Sequence, residues 1–345
     1  MTGTPDLSPR ELRVLEAVIQ MYIETAEPAG SQAVARRSGL GVSPATVRNT
    51  MSELERRGYL LHPHTSAGRV PTDLGYRTYV DGLLRFPSPS EHEQQALAAE
   101  LPGPSTEMKN ILHRAAQVLS VLTMELGVAL APTLDQAILE RLELVRVSSE
   151  RLLLIFNLKS GLVRTIFVQI PATVASEAVA QVTRVLNERL AGLSMQEVRG
   201  SLAERLRDAA SPPGGRELLN IFLAEGEEIV AQTMTSSEVH LGSARMLADQ
   251  PEFASKARMR ELLEITERRE VLREVLTSRS HSGVSITIGG ENLDPALSDL
   301  TLVTASYSRG DLRGVIGVLG PTRMPYEKII GLVEHTSRLV EGLLD

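Results

Sequence analysis

The stretch that most constrains this chain runs from Ser31 to Arg77, SQAVARRSGLGVSPATVRNTMSELERRGYLLHPHTSAGRVPTDLGYR. Ser43 is placed to accept hydrogen bonds from the free N–H groups that open a helix, and Pro44 suits the first helical position because its missing N–H would go unpaired there. Val47, Met51 and Leu54 recur at i, i+4 and i+7 and make one apolar stripe, and Gly58 supplies the left-handed backbone that ends the run. Ahead of this helix, Ser31 is placed to cap a shorter one with Val34 and Ala35 turned inward, and Gly39-Leu40-Gly41 makes the connecting turn. Behind it, Tyr59-Leu60-Leu61 reads as a strand, His62 to Arg69 as a tip and Val70-Pro71 as the return. Two helices, a tight turn and a small hairpin in this order predict a winged helix-turn-helix.

At about 100° per residue, the side opposite the apolar stripe carries Ala45, Asn49, Ser52 and Arg56, flanked by Thr46, Arg48 and Glu53. These groups suit a B-DNA major groove: Asn pairs with adenine edges, Arg with guanine or phosphate, and Ala or Thr methyls with the thymine methyl. An ordinary amphipathic helix with a solvated face shows the same pattern, so the neighbours matter. A basic hairpin beside such a helix is suited to phosphate or the minor groove. The residues expected to meet DNA are therefore Ser43, Ala45, Thr46, Arg48, Asn49, Ser52 and Arg56 on the helix, Thr65, Ser66 and Arg69 on the tip, and Arg77 beyond it. From Ser31 to Arg77 there are seven Arg and three acids, about +4, an electrostatic footprint for duplex phosphates.

Two longer runs carry a resemblance. HPHTSAGRVPTDLGYRTYVDGLL from His62 to Leu84 and IGVLGPTRMPYEKII from Ile316 to Ile330 closely resemble the heat-inducible transcription repressor family (HrcA) of bacteria. The resemblance implies a GAF-like domain split in sequence by an inserted dimerising domain. It also implies an inverted-repeat operator called CIRCE upstream of chaperone operons, loss of activity on heating, and the chaperonin GroEL as a partner.

Bulk properties narrow the field. The net charge of −7 argues against nucleic acid only until it is divided along the chain: residues 1–86 hold ten Arg and nine acids, +1, and the remainder carries −8. Aromatic residues total 3% and Trp is absent, too few for the stacking platforms that hold single strands, so a duplex is favoured. Cys is absent, which excludes a disulfide framework, a thiolate nucleophile and Cys-ligated metal. Arg outnumbers Lys 32 to 4, but the excess extends through the acidic regions and reads as genomic base composition. With no cationic leader and no apolar run of membrane-spanning length, a cytoplasmic protein is expected.

Along the chain, Ser8 and Glu11 form a capping box for a first helix to about Glu24, and Thr72 caps another leading toward Phe86. Two proline-rich stretches, 86–90 and 101–105, bracket a linker with one short helix. Helical spacing from Ile111 to Leu126 closes at Gly127. Leu142–Val147, Leu152–Phe156 and Leu162–Ile170 predict a three-stranded antiparallel meander. Ser176 to Leu190 is helical, Ser194 to about Ser280 wholly so, with Met259 to Leu276 one long helix. Strands resume at Val284–Ile288, Leu300–Tyr307 and Gly314–Leu319. The expected fold class is α+β multidomain: a winged-helix DNA-binding domain (1–86), a linker (87–105), a GAF-like α/β domain in two parts (106–190 and 280–345) and an inserted helical dimerisation domain (191–279).

No constellation for catalysis is found. The glycines of Gly314-Val315-Ile316-Gly317-Val318-Leu319-Gly320 recur every third residue and lack the Gly-Lys-Ser/Thr ending of a phosphate loop, so a strand-to-helix turn is expected there. The histidines show no metal-ligand spacing, no Ser sits in a nucleophile elbow, and no cofactor is expected. The resulting expectation is a dimeric repressor on double-stranded DNA. A ligand-responsive winged-helix regulator is the alternative, and an enzyme with an accessory DNA domain a distant third.

Overall fold

The computed structural model describes residues 7–39, 41–63, 68–82, 88–101, 103, 107–132, 134–207, 215–234, 238–280, 283–310 and 312–344. In chain order come helices α1 (Pro9–Thr25), α2 (Ser31–Arg37) and α3 (Pro44–Arg56), strands β1 (Leu60–Leu61) and β2 (Val70–Pro71), and helices α4 (Asp73–Asp81), α5 (Glu91–Glu100) and α6 (Met108–Thr123). Strands β3 (Leu126–Leu130), β4 (Leu139–Ser148), β5 (Arg151–Leu158) and β6 (Val163–Gln169) precede helices α7 (Ser176–Leu190), α8 (Met195–Arg207) and α9 (Gly215–Met234). The last third holds β7 (Val239–Leu241), α10 (Arg245–Ala248), α11 (Lys256–Glu267), α12 (Arg269–Thr277), β8 (Val284–Ile288), β9 (Leu300–Arg309), β10 (Leu312–Pro321) and α13 (Tyr326–Leu344). Helices and strands are segregated into bundles and sheets, an α+β chain of more than one domain.

Two compact units result. The first comprises Met1–Ala129, His240–Ser306 and Ile316–Val340, the second Leu130–Val239, Tyr307–Val315 and Glu341–Asp345. Within the first unit, α1 packs on α2, α3 and α4. Its start follows from local chemistry: Ser8 Oγ accepts from the Glu11 N–H while the Glu11 carboxylate accepts from the Ser8 N–H at 2.7 Å. Val14, Leu15, Val18 and Ile19 are buried from one side, and Val34, Val47, Met51 and Leu54 from the other, closing a small core. The N-cap of α2 is Gly30, not Ser31. The larger part of a five-stranded sheet in the order β7-β3-β10-β9-β8 lies in this unit, with β8 antiparallel to β9.

The second unit carries β4, β5 and β6 as an antiparallel meander, with Leu142 opposite Phe156 and Leu154 opposite Ile166. Alternate residues face a core shared with α7, α8 and α9, including Leu144, Leu152, Leu186, Val198 and Phe222. At the β4 edge, the Asn187 side chain of α7 accepts from the Leu142 N–H at 2.9 Å and donates to its C=O at 2.7 Å, replacing a neighbouring strand at that residue. On the opposite face Val145, Val147, Val163 and Phe167 are each about half exposed.

Several expectations are corrected here. The compact units do not follow the expected bounds of 106–190, 191–279 and 280–345: the longest segment of the second unit runs from Leu130 to Val239 and includes β4–β6, whereas the helices from Lys256 to Thr277 belong to the first unit. Among the described residues those three strands form a sheet of their own, so the meander is not half of the five-stranded sheet. The helix expected to run to Leu126 stops at Thr123, because Met124 turns left-handed at φ 60° and Leu126–Leu130 becomes a strand. β7 breaks the region expected to be wholly helical, and the long helix from Met259 to Leu276 is two, α11 and α12, broken at Arg268. The strand expected over Gly314–Leu319 is present as β10 and runs on through Gly320 to Pro321, so the strand-to-helix turn expected within the glycine run comes after it.

Candidate nucleic-acid interface

Helix α3 begins where its sequence dictates. Ser43 Oγ accepts from the Thr46 N–H at 3.2 Å and shares a hydrogen bond with the Thr46 hydroxyl at 3.0 Å, and Pro44 occupies the first turn. Val47, Met51 and Leu54 are buried, as is Thr50, whose hydroxyl donates back to the Thr46 carbonyl. Gly58 follows the last turn at φ 81°. The stripe anchors the helix, and what lies opposite it is left to solvent.

That opposite side gathers most of the expected reading residues. Ser43, Ala45, Arg48, Asn49, Ser52 and Arg56 are exposed and Thr46 is half-buried. Arg56 lies along its own helix, its guanidinium donating to Glu53 at 3.0 and 2.5 Å. A pair this open to water is exchanged for phosphate at little cost. Arg48 and Asn49 make no side-chain hydrogen bond or ion pair among the described residues, so their donors are free for a base edge. Arg36 on α2, which the sequence reading did not single out, is likewise exposed and unpaired. Its signal was position: it follows the buried Val34 by two residues and so lies off the packed side of α2.

The hairpin behaves differently. β1 and β2 pair antiparallel, Leu60 opposite Pro71 and Leu61 opposite Val70, and Arg69 forms a two-way backbone bridge with Ala29 at 2.9 and 3.0 Å. A Cβ at Gly68 would lie 2.3 Å from the Ala29 carbonyl oxygen, so only glycine admits this approach. Arg69 is then turned onto α3, where its Nε donates to Glu55 at 2.8 Å and its side chain is only 17% exposed. Thr65 and Ser66 lie outside the described residues.

Arg77 is turned away from the open side of α3, onto β8 and the segment after it. Its Nε donates to Glu291 at 2.7 Å, Nη2 to the Ile286 carbonyl at 2.8 Å and Nη1 to Asp81 at 3.2 Å. The Glu291 carboxylate holds its guanidinium above the ordinary arginine value. Neither Arg69 nor Arg77 therefore joins the exposed side of α3 in this structure, and the physical reason is the same: each has a nearer carboxylate. Adding Arg37 on Glu24 and Arg57 on Glu11, five of the seven arginines counted between Ser31 and Arg77 are ion-paired. The formal charge of this stretch overstates the field it presents.

Among the described residues no group of three His, Asp or Glu side chains is gathered for a metal ion. No described helix is long and apolar enough to cross a membrane.

A family model described as the HrcA protein C terminal domain matches residues 109–330. The heat-inducible transcription repressor HrcA of Chlorobium phaeovibrioides (strain DSM 265 / 1930) is 37% identical over 349 residues, covering 96% of each chain. That of Syntrophobacter fumaroxidans (strain DSM 10017 / MPOB) is 36% identical over 343 residues, covering 99% of this chain and 98% of the relative. A crystal structure of a hypothetical protein, solved at 2.2 Å, shares the fold with a TM-score of 0.63 at 23% identity, over 98% of this chain and 99% of that one. The chain belongs to the heat-inducible transcription repressor HrcA family.

Proposed function

We propose that the chain is a dimeric DNA-binding repressor of class I heat-shock chaperone operons, reading a CIRCE-type inverted repeat and losing activity on heat shock. The observation that carries this reading is the open side of α3, where Arg48 and Asn49 stand exposed, without partners among the described residues, between small residues. In this reading residues 1–86 are a winged helix with α3 as its reading helix, the hairpin at β1–β2 as its wing, and the five-stranded sheet is the core of a GAF-like domain. One reading helix makes too few base contacts for operator specificity, and two-fold symmetry doubles them. The second unit supplies the dimer surface; the half-exposed Val145, Val147, Val163 and Phe167 on the open face of its sheet support this, since such a patch is suited to a second copy. The chaperonin GroEL is the partner that family membership suggests.

The test is a binding assay with the full chain on a duplex carrying the CIRCE repeat and on a scrambled duplex. Preference for the repeat, with sedimentation showing two protomers per repeat, is the expected result. Equal affinity for both duplexes refutes the reading.

A second reading, a ligand-responsive regulator, is favoured by a cavity of about 560 Å³ in the first unit, lined by Phe253, Leu262, Ile265 and Leu300 with Arg258 and Asp299 among its polar groups. That volume suits a small ligand. Saturable thermal stabilisation by a metabolite, together with a change in DNA affinity, would favour it.

A further inference from the structure

The groups that fasten the N-terminal helices to the sheet within the first unit are mostly charged. Arg323, in the turn after β10, sends Nη1 to the carbonyl of Ile23 at 2.7 Å. Ile23 lies in the last turn of α1, whose carbonyls lack helical partners and carry the negative end of the helix dipole. The same guanidinium donates to Glu252 through Nε at 2.6 Å and Nη2 at 3.2 Å, and to the Gln250 side-chain oxygen at 3.0 Å. Its side chain is 11% exposed. One planar fork thus spans three segments, which the point charge of a lysine cannot reproduce.

A second fastening runs the other way. Arg77, on α4, holds Glu291 and the Ile286 carbonyl of β8, and Asp73 at the start of α4 accepts from the Gly290 N–H at 2.8 Å. Between the two, the rings of Tyr76 and Tyr326 lie 5.7 Å apart and both are buried. All these contacts are made by α1 and α4. None is made by α3, whose polar side stays open.

We infer that Arg323 and Arg77 are positioning residues for operator reading: they fix the angle at which the body of the first unit presents α3 to the duplex. The inference rests on the repressor reading above. An inverted repeat is read only when two recognition helices meet major grooves at a set separation, one helical turn or a multiple of it. A reading helix on a loosely held module still binds one half-site. It no longer measures the distance to the other, because the freedom regained must be lost again when both are engaged.

The experiment uses the full-length protein and three duplexes: the CIRCE repeat, a single half-site, and the repeat with its spacer lengthened by about 5 base pairs, half a helical turn. For Arg323→Ala we expect about tenfold weaker binding to the intact repeat, half-site affinity within about twofold of wild type, and a smaller penalty for the lengthened spacer. Arg323→Lys should fall between, keeping charge without the fork. Arg77→Ala, at a quarter-exposed side chain, should move the same way and decides the matter if Arg323→Ala does not fold, as circular dichroism reports. Parallel loss on repeat and half-site, or an unchanged spacer penalty, overturns the inference. A wild-type protein that does not distinguish the repeat from scrambled duplex overturns the repressor reading and this inference with it.

Discussion

The N-terminal module has two sides that use the same residue types to opposite ends. On the α3 side, among the described residues, Arg48 and Asn49 are exposed and uncommitted, and Arg56 is tied only to a neighbour on its own helix. On the α1–α4 side, Arg77 and the incoming Arg323 are largely enclosed, and every guanidinium nitrogen of Arg323 has an acceptor. What separates a group available to a ligand from one holding the fold is thus whether the chain has already supplied its acceptors, not its charge. A sequence count of arginines cannot see that difference.

The largest expected effect abolishes the contrast. Leu54 is fully buried beneath α3, and Leu54→Ala should cost about 2–5 kcal/mol in chemical denaturation through the lost apolar transfer and the cavity left behind. DNA binding and the α1–α4 contacts should fail together, and a variant that keeps its stability would mean that α3 is not seated on this core. The next effect sharpens the contrast: Arg48→Ala and Asn49→Ala should each reduce discrimination between repeat and scrambled duplex by about 1–3 kcal/mol while leaving stability within about 0.5 kcal/mol. Undiminished discrimination would place base reading on another surface. Ser43→Ala removes the cap of α3 and should lower stability by about 1 kcal/mol, felt first as faster amide exchange at the start of that helix. Exchange unchanged at Thr46 and Val47 would show that the cap is idle.

The smallest effect isolates the fastening side. Glu125 is 1% exposed beside Arg323 and Glu252, its Oε1 receiving the Gln250 amide at 3.4 Å. Gly320 lies so close that a Cβ there would be 2.2 Å from the Glu125 carboxylate. Burial holds this carboxyl well above its ordinary value of 4.5, with Arg323 pulling down and Glu252 pushing up. The folded protein therefore keeps a proton that the unfolded chain releases, so this stability is full below the unfolded value and falls as pH rises toward the folded one. Glu125→Gln cannot ionise. Its melting temperature relative to wild type should climb by roughly a few degrees between about pH 5 and pH 8, with DNA discrimination unchanged. A difference that stays flat with pH would mean that Glu125 is ionised in the folded state.

How much was legible in the sequence follows from how local the deciding contacts are. Ser43-Pro44 and the Ser8–Glu11 box announce their helices because donor and acceptor are three residues apart. The meander of β4–β6 was readable because one side meets the core and the other water. β3 was not, since all five of its residues are buried and it shows no alternation. That the meander forms its own sheet could not be read from local pattern, because strand pairing decides it. On the open side of α3, exposure of Arg48 and Asn49 followed from helical period alone. The diversion of Arg77 did not, because its carboxylate stands 214 residues away.

The Asn187 amide that occupies both backbone groups of Leu142 has a bearing on what happens when such a protein is warmed. Strand edges with free backbone groups recruit like edges from other molecules and grow into aggregates. By filling the donor and the acceptor at one residue with a side chain from its own helix, the second unit denies an intruder its foothold there for as long as α7 stays docked. An intruding strand that meets the edge of β4 at Leu142 finds both backbone groups already taken.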